Sequence, residues 1–436
     1  MATTSMAGSA AASRPRGRLH VWALFAVLLV LLPQVFRSSL ALTMLSQMGY
    51  LAIICLSYNI LLGQGGMLSF GHAVYTGLGA FVAVHAMNRA TQGAIMLPVI
   101  AVPLVGGLAG MLFAALFGYV TTKKSGTTFA MITLGIGELV AAMSLMFPGF
   151  FGGEGGVTTN RVYGTPFLGL TFGSQMQVYY LIAAYCFIST GLMYAFTGTP
   201  LGRMLNAVRD NPERVEFIGY DTQWVRYIAF VIAGFFAGLG GGLAAINFEI
   251  VNASDSLSAV RSGGYLLFTF LGGATFFFGP IIGAVLLVLA SVLLSEVTKA
   301  WLLYLGLVFL LMVMFAPGGI ASLIMMNLRV ARFGKLKGLL GWYLALALTG
   351  AVMFFGVAAM IEMIYHLQLE DAQGPLLHFM GIGLNAKSAA SWLGALAVAA
   401  VGTALFEATR RRFARRWGDV QGEIEAAIHA REAAGA

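Results

Sequence analysis

Residues 198–220, GTPLGRMLNAVRDNPERVEFIGY, are a charged island in an apolar chain, and their reading decides how the rest is arranged. They hold Arg203, Arg209, Asp210, Glu213, Arg214 and Glu216, six of the 42 charged residues (25 basic plus 17 acidic) in a 436-residue sequence that is 59% hydrophobic. Apolar runs flank the island, Val178 to Phe196 before it and Tyr227 to Phe248 after it. Leu201, Met204, Leu205 and Val208 recur at helical spacing, and Val215 and Ile218 sit three apart in the next piece. Asn211-Pro212 marks a break between the two, because a residue before proline is pushed out of the α region. The pattern predicts two short amphipathic helices with a proline-marked joint, lying against a membrane protein. Their apolar face needs a cover, either the chain's own helix ends or another protein.

Working outward, apolar segments of membrane-span length recur along most of a chain in which only 10% of residues are charged. A helix takes about 20 apolar residues to cross the hydrocarbon core. The sequence therefore predicts an all-α polytopic integral membrane protein. Spans are expected at 21–36, 40–62, 68–88, 97–121, 127–147, 175–197, 225–248, 263–277, 279–297, 299–316, 340–366 and 387–408. The first ten form a core domain, 21–325, and the last two an accessory pair within 339–408. A polar, basic tail (1–20) precedes them; with Val21 to Phe36 it resembles a signal peptide, but no small-residue cleavage site is evident and spans follow at once. A basic connector (326–338) separates core from pair, and a tail with a short soluble helix (409–436) ends the chain.

With the first residues inside, 19 of the 25 lysines and arginines fall on the cytoplasmic side, as the positive-inside rule expects. Both chain ends and the island at 198–222 are then cytoplasmic, and the glycine- and threonine-rich loop from Phe147 to Met176 lies outside. The span at 263–277 is short, but reading it as a crossing keeps Arg329 to Lys337 on the basic side. The net charge of +8 is thus explained by cytoplasmic loops rather than by nucleic acid.

Cys55 and Cys186 both fall in apolar spans, which argues for packing rather than a disulfide framework. No CxxC, HExxH or histidine cluster offers a metal site, and no paired carboxylates or nucleophile–base set can be assembled for catalysis. There is no GxxxxGK[ST], so if transport is ATP-driven the ATPase is another chain. Gly63 to Ala80, GQGGMLSFGHAVYTGLGA, holds six glycines in eighteen residues. It reads either as close helix packing or as a broken helix end beside a translocation path, with Gln64, Ser69 and His72 as its polar groups. Glu138 stands mid-span in ITLGIGELVAAM, where it can bind a substrate ammonium, relay a proton or pair structurally. Glu249, Glu296 and Glu362 lie near span ends and read as interfacial.

Six stretches in order resemble the permeases of branched-chain amino acid ABC importers, specifically the M-type subunit of the Liv system. They are Tyr58-Asn59 with GQGGMLSFGHAVYTGLGAF (63–81), GGEGGV (152–157), PLGRMLNAVRDNPERVEFIGYD (200–221), AGFFAGLGGGL (233–243), FLGGATFFFGPIIGA (270–284) and FAPGGI (315–320). The resemblance implies that 200–221 is the coupling-helix region that engages an ATPase. Arg209, Asp210 and Asn211 open the family segment and Gly219 closes it, whereas Pro212 and Val215-Glu216-Phe217 depart from its alanine-rich middle. Residues 339–436 have no family counterpart. On this resemblance Glu213 and Arg214 make polar contacts at the ATPase groove and the apolar face from Leu201 to Val208, with Leu205, is the packing anchor; Arg203 and Arg209 complete the set.

The implied machine pairs this chain with a related H-type permease in a bacterial inner membrane, above two ATPase subunits that use ATP and Mg. A periplasmic solute-binding protein delivers substrate, and the chain itself needs no cofactor and performs no chemistry. A stand-alone secondary transporter or channel built on Glu138 is the rival reading. Branched-chain amino acids, urea, amides and aromatic acids all remain open as substrates.

Overall fold

A computed structural model describes residues 15–163, 171–369, 376–379 and 381–435. Most of the polar tail (1–14) and parts of two loops (164–170 and 370–375) lie outside the described residues. The chain is helical almost throughout. The helices are α1 (Pro15–Val35), α2 (Ser39–Asn59, continued by a π turn at Ile60–Gln64), α3 (His72–Thr91), α4 (Val102–Thr121), α5 (Gly126–Met146), α6 (Pro148–Phe151), α7 (Gln175–Gly198), α8 (Pro200–Asp210) and α9 (Pro212–Phe217). Then follow α10 (Thr222–Phe248), α11 (Ala253–Ser256), α12 (Ala259–Gly272), α13 (Gly279–Leu289), α14 (Ser295–Val297), α15 (Trp301–Phe315), α16 (Gly319–Arg332), α17 (Lys337–Leu369) and α18 (Ala389–Gly435). Side-chain caps start several of them: Ser38 accepts from the Ala41 amide, Ser174 from Gln177, and Asp221 from Gln223 and Trp224.

Among the described residues, eight helices are long and apolar enough to cross a membrane. They coincide with eight of the twelve expected spans. The other four expected spans are helical too, but α12 and α15 are shorter, at 14 and 15 residues, α3 is more polar, and the apolar part of α1 covers only His20–Val35. At 1.5 Å per residue α12 extends about 21 Å, less than a hydrocarbon core of about 30 Å. It turns back at Gly273 onto α13, where Gly283 lies against the Phe268 carbonyl.

Two compact units emerge, one grouping the residues up to Leu294 with Phe309–Ala321, the other Ser295–Val308 with those from Ser322 on. In the first unit α10 runs through the middle, with 72% of its apolar window buried, and packs along α4, α3 and α2. Glycines allow that approach. A Cβ on Gly238 would meet the Gly106 carbonyl at 2.3 Å, one on Gly110 the Gly234 carbonyl at 2.4 Å, and one on Gly241 the Thr76 carbonyl at 2.0 Å. In a membrane, where lipid is as apolar as leucine, such backbone contact is what holds helices together.

At the end of α10 remote from the charged island, strand β1 (Val157–Thr158) pairs antiparallel with β2 (Ile250–Val251). Arg161 locks this end. Its guanidinium donates to the last carbonyls of α10, Ile246 (3.3 Å) and Asn247 (3.4 Å), while its amide donates to Glu249 Oε1 at 2.8 Å. A cation on unsatisfied C-terminal carbonyls is favoured by both hydrogen bonding and the helix dipole. Glu249 is therefore a loop anchor.

In the second unit α17 lies along α18, with Gly356 against Ala399 and Gly402 against Met353, and strands β3 (Leu376–Phe379) and β4 (Ile382–Asn385) form a hairpin between them in sequence. The expected short tail helix is corrected: α18 is one helix of 47 residues, about 70 Å long, continuous through the expected boundary at 408. No proline interrupts it, and Glu407 pairs with Arg410 and Arg411 one turn on. The basic connector at 326–338 is structured. Helix α16 continues to Arg332, Val330 and Leu339 are fully buried with Val420 and Ile424, and Lys335 pairs with Glu423 at 2.7 Å. Glu362, expected at an interface with lipid headgroups, accepts hydrogen bonds from Thr298 and Tyr304 within this unit.

Candidate functional site

The island folds as two helices joined where the proline indicates. Thr199 caps α8 by accepting from the Gly202 amide at 3.2 Å, and Asn211, held in the extended region, caps α9 by accepting from Arg214 at 3.0 Å. Gly219 ends the pair at a φ of 89°, a left-handed conformation that a side chain would strain.

The direction of its apolar face corrects the expectation that this face anchors a partner. Leu205 is fully buried, Val208 and Val215 nearly so, and Leu201 and Met204 pack partly buried against the same core. These side chains fix the island to its own helix ends. What faces outward is Arg203, Arg209, Asp210, Glu213, Arg214 and Glu216, together with Phe217, Ile218 and Tyr220. Phe217 is 89% exposed, an unusual position for so large an apolar ring in a charged stretch. The Arg209 guanidinium pairs with Asp210 and also donates to the Gly63 carbonyl, while Leu205 reaches the backbone of Gly65. The island is thus tied to the π turn that ends α2.

Beyond that turn the chain runs without regular structure from Gly65 to Gly71 before α3 begins. Its free backbone groups are met by side chains, as they must be inside a membrane protein. Tyr58 Oη donates to the Ser69 carbonyl (2.8 Å) and accepts from the Ser69 amide (3.2 Å), and Thr133 accepts from the Phe70 amide at 3.1 Å. Ser262 accepts from the Ala73 amide at 3.0 Å. His72 is fully buried, with Nε2 2.9 Å from Ser57 Oγ. Since the Ser57 hydroxyl donates to the Ile54 carbonyl at 2.7 Å, Nε2 carries the proton toward Ser57 and Nδ1 is left as an acceptor. Ser69 and His72 are brought together; Gln64 sits half-buried at the turn. Tyr58→Phe removes both bonds to Ser69 and is expected to cost about 1–3 kcal/mol, read as a lower unfolding temperature of the purified chain in detergent.

Near the far end of α10 lies a partly open cavity of about 250 Å³. Its walls come from α2 (Tyr50, Leu51, Ile54), α3 (Thr76, Ala80), α10 (Ala244, Phe248) and α12 (Arg261, Tyr265), with Asn252 and Asp255 beside them. Arg261 and Asp255 form an ion pair in its wall.

The family described as the permease component of branched-chain amino acid transport systems matches residues 40–317. The chain belongs to that family. LivM, the high-affinity branched-chain amino acid transport system permease of Escherichia coli K12, is 26% identical over 308 residues, covering 66% of this chain and 71% of LivM. The LivM of Salmonella typhimurium is 26% identical over 311 residues with the same coverage. The nucleoside ABC transporter permease NupC of Lactococcus lactis is 23% identical over 214 residues, 47% of this chain and 65% of NupC. No solved structure matches. The chain is thus a multi-pass helical permease of the ABC importer type and not an enzyme.

Glu138 stands on the outer face of this chain. It is exposed on α5, beside Leu139 at 53% exposure and on the same helix as Leu145 at 78%, and away from the buried face of Thr133, Gly137 and Val140. Sequence reasoning missed two outward groups, Phe217 and Tyr220, for which only the odd apolar run FIGY in a polar stretch was a signal, and it set Ile218 on the covered face with Val215, whereas Ile218 is exposed. It also missed Arg261 and Asp255 as partners, since nothing in their spacing marks a cavity.

Proposed function

We propose that this permease is the M-type half of an ATP-driven importer for a branched-chain amino acid or a related small solute in the inner membrane of a bacterial cell. The single observation that supports this reading most is the division of the island. Its apolar residues bind it to the permease core, Arg209 and Leu205 tie it to the broken end of α2, and its charged and aromatic residues face outward.

Glu213, Arg214 and Phe217 form the docking surface for an ATPase, with Arg203, Asp210 and Tyr220 around it. Two ATPases bind ATP and Mg; this chain carries none of that chemistry. Closing of the ATPases displaces α8 and α9, and the displacement passes through Arg209 and Leu205 to the segment 63–72, where Gln64, Ser69 and His72 border the solute path. The ligand here is ATP on another chain, acting through its different contacts in two states. Both chain ends and the island are cytoplasmic, and the cavity faces the periplasm, where a solute-binding protein delivers the substrate.

Glu138 fits the same assembly. A carboxylate on the exposed face of a membrane helix is costly against lipid, so a second, H-type permease covers α5 there. Its outward position gives no support to a stand-alone proton-coupled carrier. Glu138→Arg is expected to weaken permease pairing, measured as a shift from heterodimer to separate chains on gel filtration.

The test is uptake of labelled L-leucine into proteoliposomes holding this permease, its sister permease and their ATPases. Uptake that needs ATP and the binding protein is the expected result. Uptake driven by a proton gradient without ATP overturns the reading.

A further inference from the structure

We propose that the cavity near the far end of α10 is a subsite for the zwitterionic head of an aliphatic α-amino acid. Arg261 takes the carboxylate, Asp255 takes the ammonium, and the wall of Leu51, Ile54, Ala80 and Phe248 takes the side chain. The inference rests on the importer reading and narrows it to one solute class.

Three observations carry it. First, the volume of about 250 Å³ suits a small solute and is below the range of drug-sized pockets. Second, the lining holds only two charged side chains, of opposite sign and already paired. Their side chains are 38% and 64% exposed, so neither is sealed in the core. Arginine offers five N–H donors in a planar fork, and a carboxylate has two acceptor oxygens, so each keeps free valences while bonded to the other. A zwitterion satisfies both and leaves the cavity's net charge unchanged. A lone carboxylate or a lone amine satisfies one and strands the other. An uncharged nucleoside hydrogen-bonds to such groups but brings no charge to balance either of them.

Third, the backbone holds both groups in place. Arg261 lies in the first turn of α12, its amide donating to Ser258 Oγ at 3.1 Å. Asp255 belongs to α11, which Asn252 caps by accepting from the Ser254 amide at 3.0 Å. Ser258 Oγ in turn donates to the Asp255 carbonyl at 3.0 Å. The positive end of the α12 dipole adds to the field that favours a carboxylate here.

The experiment is saturation-transfer NMR on the full-length chain in lipid nanodiscs, with four probes: L-leucine, leucinamide, 4-methylpentanoate and guanosine. Leucine is expected to give the strongest methyl signals. Arg261→Gln is expected to cut leucine and 4-methylpentanoate by about tenfold, the loss of one charge-assisted pair, while leaving leucinamide at its wild-type level. Asp255→Asn is expected to cut leucine and leucinamide and spare 4-methylpentanoate. Unfolding temperatures are read alongside, and if one variant fails to fold the other still decides. A merely structural ion pair would lower all probes together or none, and either pattern overturns the proposal, as does guanosine outcompeting leucine or an absence of leucine signal. ATPase retention is measured in parallel, on the same variants co-expressed with candidate ATP-binding subunits. Crossed probe losses without ATPase leave the subsite standing and sink the importer reading; retained ATPase without crossed losses does the reverse.

Discussion

Gly238→Leu is expected to abolish recovery of folded protein from the membrane. Gly238 sits where α10 crosses α4, and a Cβ there would lie 2.3 Å from the Gly106 carbonyl and 2.8 Å from the Gly110 Cα. Both are backbone atoms, so no rotamer change relieves the clash; α4 and α10 must separate. A Cβ on Gly79 of α3 would likewise meet the Gly238 Cα at 2.6 Å, so the separation would open a three-helix seam. Over-packing commonly costs about 1–3 kcal/mol, and forcing three backbones apart puts this case at or above about 3 kcal/mol, a large part of a membrane protein's margin. Fluorescence-detected gel filtration of a tagged chain reads it: loss of the monodisperse peak is expected. Gly135→Leu, with nothing within 4 Å of its Cβ position, is the matched control and should leave the peak in place.

Arg209→Ala is expected to uncouple transport from ATP hydrolysis without releasing the ATPase. Arg209 is the one island cation seen bridging to the end of α2, through the Gly63 carbonyl, and its methylene chain covers Gly66. Gly66 has a φ of 63° and sits where that turn leaves the helix. Removing the side chain leaves Leu205, Val208 and Val215 to hold α8 and α9 in place, so docking survives while movement of the island no longer reaches residues 63–72. Leucine uptake per ATP hydrolysed should fall by tenfold or more, the effect of losing about 1.4 kcal/mol or more of coupling. Retention of the ATPase should be unchanged.

The fold and part of this site were legible in the sequence, for identifiable reasons. Hydropathy sets the spans because unsatisfied backbone in lipid leaves helices as the main solution. Thr199, Pro200, Asn211 and Pro212 set the island's helices because caps and prolines act locally. The glycines of 63–80 point to close packing or a broken helix end, and the structure shows both, the first at Gly77 and Gly79. What was not legible depended on tertiary placement. An amphipathic face states that it needs a cover but not which one, so Leu205 was read as a docking anchor and is instead buried at home. On a mostly apolar span like α5 no polar face distinguishes core from lipid, so the sequence leaves open which way Glu138 faces. Arg261 and Asp255 lie six residues apart across a helix boundary, and only α2, α3 and α10 folding around them turn the two charges into a cavity wall. Helix α18 was cut at 408 because hydropathy falls there, although the helix itself has no reason to stop.

The most direct test of the account is whether the outward face of residues 200–221 holds an ATPase. The full-length permease is co-expressed with candidate ATP-binding subunits and pulled down, alongside a variant carrying Glu213→Ala, Arg214→Ala and Phe217→Ser. All three positions are exposed, so the variant should fold as the wild type does. The account predicts an ATPase retained by the intact chain and lost from the variant. Equal retention by both, or none by the intact chain, would contradict it.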